Sequence, residues 1–426
     1  MSTSKWKPYQ NYIRSDVDAI PLYPSHWKLK RVKYLINEND GIKIGPFGSS
    51  LKLNTLTSDG IKIYGQGNVI KNDFTLGHRH LPIERFNSDF SKYEILDGDV
   101  LITMMGTTGK SKVFRKEFKR GIIDSHLIRL RFQKNQFNSD LFVTTLQESE
   151  YMSHQLRLKS NGSIMEGLNS FIIKDLYVVK PPLSEQKQIE IFLNRVNGDF
   201  SRIFGTLETQ LSTIKEKRST LITKAVTKGL STDVQMKDSG IDWIGDVPEH
   251  WKIMKLSKFA RVYSGKETKS EFGKIPIYGA NGIIGMCDSS RSKKPTVLVG
   301  RVGSSGEVNL THGEHGVSDN ALVIENDESI DTNFLFYIMQ SDYFTLDISN
   351  TAQPLLTSSK LTEHKYQIPP LQEQLEIAAY IHRNLQIMRT IETNIQSIIE
   401  KLKELRTALI SAVVTGKIDV SNYQME

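Results

Sequence analysis

Two kinds of hydrophobic pattern alternate along the chain. From 28 to 180 and from 252 to 368, apolar residues come in short β-type runs that glycine ends. Examples are Ile61-Lys62-Ile63-Tyr64 before Gly65, Val100-Leu101-Ile102-Thr103 before a Gly/Thr loop, and Val297-Leu298-Val299 before Gly300. Elsewhere the period becomes seven. Ile381, Met388, Ile395, Leu402 and Leu409 recur every seven residues, with Ile377, Asn384, Ile391, Ile398 and Leu405 as a companion series four residues earlier, an a/d stripe of five heptads. An earlier segment carries Leu193, Phe200, Leu207, Ile214 and Leu221, accompanied by Ile189, Val196 and Ile203. Its companion series fails at Gln210, Lys217 and Lys224, while Leu211 and Ala225 stand one position over, which predicts a local adjustment of the coil. Proline pairs precede both segments, Ser184 is placed to cap the first, and Gly229 and Gly416 supply stops. A helix over 184–227 is a rod of roughly 66 Å at about 1.5 Å per residue.

The alternation is a repeat. Pro24-Ser25-His26-Trp27-Lys28 returns in the second half of the chain as Pro248-Glu249-His250-Trp251-Lys252. Pro181-Pro182-Leu183-Ser184-Glu185-Gln186 returns at a smaller offset as Pro369-Pro370-Leu371-Gln372-Glu373-Gln374. The smaller second offset puts 36 more residues into the first globular half, while the helical segments keep one length. The expected class is α+β, with two β-rich domains separated by two long helices packed as an antiparallel coiled coil in a pseudo-two-fold internal repeat. A closed two-fold places equivalent helices antiparallel across its axis, and two stripes in one chain satisfy each other most simply. The expected divisions are an N-terminal arm (1–27), a first variable domain (28–180), a first helical segment (181–230), a linker (231–251), a second variable domain (252–368), a second helical segment (369–418) and a tail (419–426). The seam is expected at Leu193, Phe200, Leu207, Ile214, Leu221, Ile381, Met388, Ile395, Leu402 and Leu409, with Asn384 a tolerated polar position.

Composition adds less. The 426 residues carry 55 Lys and Arg against 48 Asp and Glu, a net charge of +7 that permits a polyanionic partner. Its distribution is uneven: 24 basic against 16 acidic residues over 28–180, but 13 of each over 252–368. A basic cluster, Lys110, Lys112, Arg115, Lys116, Lys119 and Arg120, reads either as a solvated strand edge or as a phosphate contact. One cysteine, Cys287, excludes an intramolecular disulfide and any multi-cysteine metal site. No run of about 18 apolar residues and no signal-like start occur, so a cytoplasmic chain with no membrane partner is expected.

Catalytic motifs fail on inspection. Gly106-Thr107-Thr108-Gly109-Lys110-Ser111 resembles the end of a phosphate-binding loop, but Met104 stands where the first glycine is needed. Aligning Val100 with Val297 also sets Lys110 on Glu307, which would repel phosphate. His78-Arg79-His80 and His312-Gly313-Glu314-His315 lack a third spaced ligand. No nucleophile elbow, zinc-protease motif or methyltransferase motif is present. What remains are polar, glycine-hinged loops: Gly45-Pro46-Phe47-Gly48-Ser49-Ser50, Gly65-Gln66-Gly67-Asn68, the 106–111 loop and Ser160-Asn161-Gly162-Ser163 in the first domain. The second domain has Tyr278-Gly279-Ala280-Asn281-Gly282, Arg301-Val302-Gly303-Ser304-Ser305-Gly306 and Asn350-Thr351-Ala352-Gln353. Such side chains hydrogen-bond base edges and phosphates, and glycine admits close approach.

This order of parts, each variable domain opening near Pro-x-His-Trp and closing on Pro-Pro-Leu-x-Glu-Gln, resembles the specificity subunit of a Type I restriction-modification enzyme. Gly45-Pro46-Phe47-Gly48-Ser49, Gly106-Thr107-Thr108-Gly109-Lys110, Gly303-Ser304-Ser305-Gly306 and Gly240-Ile241-Asp242-Trp243-Ile244-Gly245 also resemble family segments. The resemblance implies that each variable domain is a target recognition domain reading half of a split, asymmetric site in double-stranded DNA. It further implies that the helices space the two readers and dock two adenine-methyltransferase subunits, with an ATP-dependent restriction and translocation subunit joining them. No cofactor is expected in this chain, which would be non-catalytic; S-adenosylmethionine, ATP and magnesium would belong to the partners. The residues expected at DNA are Lys43, Gln66, Asn68, Arg79, His80, Thr107, Thr108, Lys110, Lys112, Arg115 and Asn161 in the first domain. In the second they are Tyr278, Asn281, Arg301, Ser304, Ser305, Asn320 and Gln353. The competing class is a coiled-coil scaffold whose globular ends bind proteins or glycans. A third is the specificity chain of a system in which one partner both cuts and methylates.

Overall fold

The computed structural model describes residues 7–47, 50–160, 168–241, 244–302, 305–341 and 356–423. The chain forms two compact units, one of residues 1–205 and 398–426, the other of 206–397. Each long helix, Leu183–Lys228 and Leu371–Val414, is therefore shared between them.

Both units are built on one plan. In the first, the strands Ile42–Ile44, Leu127–Leu130, Val100–Thr103 and Ser111–Val113 lie side by side in an antiparallel sheet; in the second, Ala260–Ser264, Ala321–Asn326, Val297–Gly300 and Val308–Leu310 repeat that order. The inner strands Val100–Thr103 and Val297–Gly300 are buried along their whole length, as their unbroken apolar runs require. A smaller sheet pairs Ile61–Tyr64 in parallel with Gly121–Ile123, and likewise Ile275–Gly279 with Gly316–Val317. Lys28–Arg31 pairs with Tyr177–Lys180 and Lys252–Lys255 with Lys365–Ile368, so each variable domain opens and closes on one pair of strands.

The repeat extends upstream of its sequence anchor. Tyr12–Arg14 pairs with Leu22–Pro24, and Met236–Asp238 with Asp246–Pro248, in one register: Tyr12 faces Pro24 as Met236 faces Pro248. The arm and the linker thus contain the same hairpin.

The two copied motifs meet in space. Trp27 Nε1 donates to Glu185 (2.9 Å) and Trp251 Nε1 to Glu373 (3.1 Å), while His26 and His250 each contact the same glutamate at 2.8 Å. The neighbouring Gln186 accepts from the amide of Asn138, and Gln374 from that of Asp331. Asn138 and Asp331 cap the helices Ser139–Glu148 and Thr332–Gln340. The Glu-Gln pair therefore ties each long helix at two points, the Glu to the segment just before its recognition domain and the Gln to the domain itself. Gly229 (φ +74°) and Gly416 (φ +72°) end the long helices in the left-handed region. A Cβ on Gly416 would stand 2.4 Å from Pro24 and 3.0 Å from Trp27.

Within the first unit, Ile189, Phe192 and Leu193 share a core with Ile410, Val413 and Val414; within the second, Ile222, Ala225 and Val226 share one with Ile377, Ala378, Ile381 and Leu385. The start of each helix meets the end of the other, so the coil is antiparallel. Every seam residue named above is buried or half-buried, including Leu207, Ile214 and Leu221. The companion series of the second helix needs correction: Ile391, Ile398 and Leu405 are 43%, 47% and 48% exposed. Leu385, Glu392, Ile399 and Arg406 take the inner positions instead. Arg406 bonds Glu148 and Asn197. A straight helix drifts by about 20° per heptad, so the buried face moves one position over, as it also does at Leu211 and Ala225 in the first helix.

Candidate nucleic-acid interface

Three of the glycine-hinged loops of the first domain, those at Gly45, at Gly65 and after Met104, come together around Asp124 and His126. The Asp124 amide bonds Tyr64 O (2.8 Å), and its carboxylate accepts from the His126 amide (3.0 Å) and from Arg79 Nη2 (2.8 Å). The Met104 amide bonds His126 O, and the Leu168 amide bonds Met104 O. Gly45 lies so close that a Cβ would come within 2.0 Å of Asp124 O, which no other residue could meet. Residues 45, 65, 79, 104, 124 and 126 are thereby brought together from separate loops.

The second domain repeats these bonds with other side chains. The Ser318 amide bonds Tyr278 O (2.8 Å), the Arg301 amide bonds Asn320 O (2.9 Å), and the Leu356 amide bonds Arg301 O (3.2 Å). Gly265 is packed on Val317 O and Ser318 O as Gly45 is on Asp124 O. Gly109 N bonds Thr103 O as Gly306 N bonds Gly300 O, and Thr103 N bonds Lys110 O as Gly300 N bonds Glu307 O. These last bonds make the 104–110 loop a connection between antiparallel strands. No helix follows it to offer free amides to a phosphate.

The other expected residues divide by environment. Arg79, Thr107, Thr108, Lys110, Asn281 and Asn320 are exposed; Lys43, Gln66, Lys112, Arg115, Arg301 and Ser305 are half-buried. Asn68, His80 and Tyr278 are buried. Asn68 has an internal role, accepting from the Gly65 amide and donating to Asp73 O and Leu76 O. His80 contacts His78 O, and the Tyr278 ring meets His315 edge-on. Buried oxygens of Gln66 and Ser305 have no hydrogen-bond partner among the described residues. Asn161, Ser304 and Gln353 lie outside the described residues, as do Gly48, Ser49, Gly162, Ser163, Asp242, Trp243, Gly303 and residues 350–352. Asp124 and His126 were not anticipated; the only signal was a polar triplet between two apolar runs, Gly121–Ile123 and Leu127–Leu130.

Most arginines of the first domain are paired inside it. Arg115 pairs with Asp140, Arg120 with Glu94, Arg31 with Asp175, Arg129 with Asp40, and Arg131 with Asp40 and Asp99. Lys62 is buried on two carbonyls, Phe74 O and Thr75 O, and burial with nearby Lys119 pulls its ammonium below the ordinary lysine value. Lys110 and Lys116 are exposed, and no ion pair holds either among the described residues. Among those residues, too, no group of three or more His, Cys, Asp or Glu side chains is placed to hold a metal, and no helix is long and apolar enough to cross a membrane.

Residues 44–212 and 248–401 match the Type I restriction modification DNA specificity domain, once per repeat. The chain belongs to this family. It is 27% identical over 343 residues to the Type I restriction enzyme MjaVIII specificity subunit of Methanocaldococcus jannaschii, covering 71% of this chain and 76% of that one. Against the putative type I restriction enzyme MjaX specificity subunit of the same organism, identity is 24% over 362 residues, covering 78% and 81%. A chain from a solved structure of complex assembly and conformational transition of the type I R-M system shares the fold, with a TM-score of 0.73 at 15% identity over 93% of this chain and 99% of that one. The HsdS subunit from Thermoanaerobacter tengcongensis also shares it, with a TM-score of 0.54 at 15% identity over 93% and 98%. The protein is thus a Type I specificity subunit with two DNA recognition domains.

Proposed function

We propose that this specificity subunit directs a Type I restriction-modification complex to a bipartite, asymmetric DNA target. Each recognition domain reads one half-site, and the two long helices space the readers and dock two adenine-methyltransferase subunits. The observation that carries the reading is the loop cluster, held in both domains by the same backbone bonds but bearing different side chains: Asp124 against Ser318, His126 against Asn320, Met104 against Arg301 and Lys110 against Glu307. A common frame with unlike tips is what two readers of different sequence need. Docking is supported by the apolar residues Ile387, Ile391, Ile398 and Leu405, spaced by four and seven on the second helix and 43–53% exposed. S-adenosylmethionine, ATP and magnesium act in the partners, including an ATP-dependent restriction subunit, and this chain is non-catalytic.

The test replaces residues 28–180 with the corresponding domain of a relative and sequences methylated host DNA. One half of the modified motif is expected to change and the other to persist; change in both halves overturns the reading. The purified chain with labelled S-adenosylmethionine is expected to transfer no methyl group, and transfer above a protein-free control overturns its non-catalytic role.

A further inference from the structure

The repeat makes one difference between the two units informative. In the alignment that sets Glu185 on Glu373, Phe192 of the first long helix corresponds to Tyr380 of the second. In the first unit Phe192 is 2% exposed. The segment after the second helix covers it: Val420 is buried in the same core, and the Tyr423 ring meets Phe192 edge-on with centroids 5.0 Å apart. In the second unit the chain after the first helix turns at Gly229 into the hairpin strand Met236–Asp238, and Tyr380 is left 41% exposed.

Tyr380 there lines an open groove of about 890 Å³ with Leu221, Met236 and Met388, flanked by Lys217 and Lys224. Both lysines are exposed, and no ion pair holds either among the described residues. Their counterparts in the first unit are Leu405 and Ala412, so the open groove carries two cations at positions where the first unit carries none. Facing acidic groups are Glu216 and Asp246, and the Asp246 carbonyl already receives the Lys228 ammonium.

We propose that this groove binds a short, acidic segment of a partner protein that carries an aromatic residue. The aromatic ring would lie on Tyr380 as Tyr423 lies on Phe192, and the segment's carboxylates would face Lys217 and Lys224. The first unit shows that the site takes a short segment, turned at Val420–Tyr423 by the bond from the Tyr423 amide to Val420 O (3.0 Å), with one aromatic ring, and the two lysines set the charge of the guest. Because the first groove is filled by the chain itself, one guest binds per chain. The inference does not depend on what the recognition loops read.

The test uses the full chain and two fluorescent peptides. One has the sequence of residues 417–423; the other carries Ser421→Glu and Asn422→Glu. The acidic peptide is expected to bind saturably at one per chain, about five-fold more tightly than the plain one at low salt, the scale of two exposed ion pairs. Its binding should fall at least five-fold with Tyr380→Ala in the chain, with Lys217→Glu and Lys224→Glu together, or with the peptide tyrosine changed to alanine. Tyr380 and both lysines are surface positions, so these variants keep their cores, and an unchanged methylated motif in the assembled complex confirms that they do. Phe192→Leu should leave binding intact. No saturable binding, binding indifferent to Tyr380→Ala, or binding lost with Phe192→Leu would each overturn the proposal. So would a dimer in light scattering that disappears on removal of residues 420–423, since the guest would then be a second copy of this chain.

Discussion

Glu185 and Glu373 occupy equivalent places but carry unequal loads, which makes the pair an internal control. Glu185 accepts from Tyr9 Oη (2.8 Å), His26 (2.8 Å) and Trp27 Nε1 (2.9 Å). Among the described residues, Glu373 accepts from His250 and Trp251 alone. The counterpart of Tyr9 is Asp233, which donates nothing there. Burial, and then its bond to Glu185, hold the Tyr9 phenol far above the ordinary tyrosine range, so it stays a donor at every working pH. Glu185→Ala strands the indole N–H of Trp27, which is 3% exposed, and stranding a buried donor costs about 1–3 kcal/mol. The half-buried Tyr9 hydroxyl adds about 1 kcal/mol, and His26, whose side chain is 45% exposed, adds under about 1 kcal/mol because water replaces its partner. The sum is about 3 kcal/mol for Glu185→Ala and about 2 kcal/mol for Glu373→Ala. Two linked units need not unfold in one step, so the readout is amide hydrogen exchange at peptides spanning 24–31 and 248–255. Exchange should rise about a hundred-fold at the first peptide in Glu185→Ala and about thirty-fold at the second in Glu373→Ala. Equal increases, or none at Trp27, would refute the role given to this glutamate.

Arg79, held by Asp124, is predicted to read one base of the first half-site. Arg79→Ala or Asp124→Asn should relax one position of the methylated motif by about five- to a hundred-fold, the discrimination of one bidentate contact, and an unchanged motif excludes it. Lys110→Ala with Lys116→Ala should lower the salt slope of DNA binding by the assembled complex by up to about 1.8, at about 0.9 per phosphate contact. Arg115→Ala, which loses a side chain already paired with Asp140, should leave that slope unchanged. Because the helices pair antiparallel, lengthening the proposed ruler requires four residues inserted in both, after Gly205 and after Ser397. That adds about 6 Å and about 400° of rotation, so the motif spacer should grow by one or two base pairs at about 3.4 Å each. An active variant with the old spacer means that the helices are not the ruler.

The chain by itself determined its own duplication, and with it the architecture. Pro-x-His-Trp and Pro-Pro-Leu-x-Glu-Gln recur because each supplies half of a contact, an indole and imidazole on one side and a carboxylate on the other. The seven-residue period marked both helices because burial along a coiled coil leaves that spacing in any sequence that adopts it. Local chemistry also fixed the helix ends, since Gly229 and Gly416 tolerate positive φ where other residues do not. Only the tertiary structure decided which polar groups remain available. Asn68, His80 and Arg115 look like readers in a list of residues, but packing buries Asn68 and His80 on nearby carbonyls and Asp140 pairs with Arg115 from 25 residues away. Asp124 draws Arg79 to the loop edge from 45 residues away. The exposure of Ile391, Ile398 and Leu405 was hidden for a related reason: a heptad pattern states which residues are apolar, but the drift of a 3.6-residue helix against its partner settles which of two adjacent rows is covered.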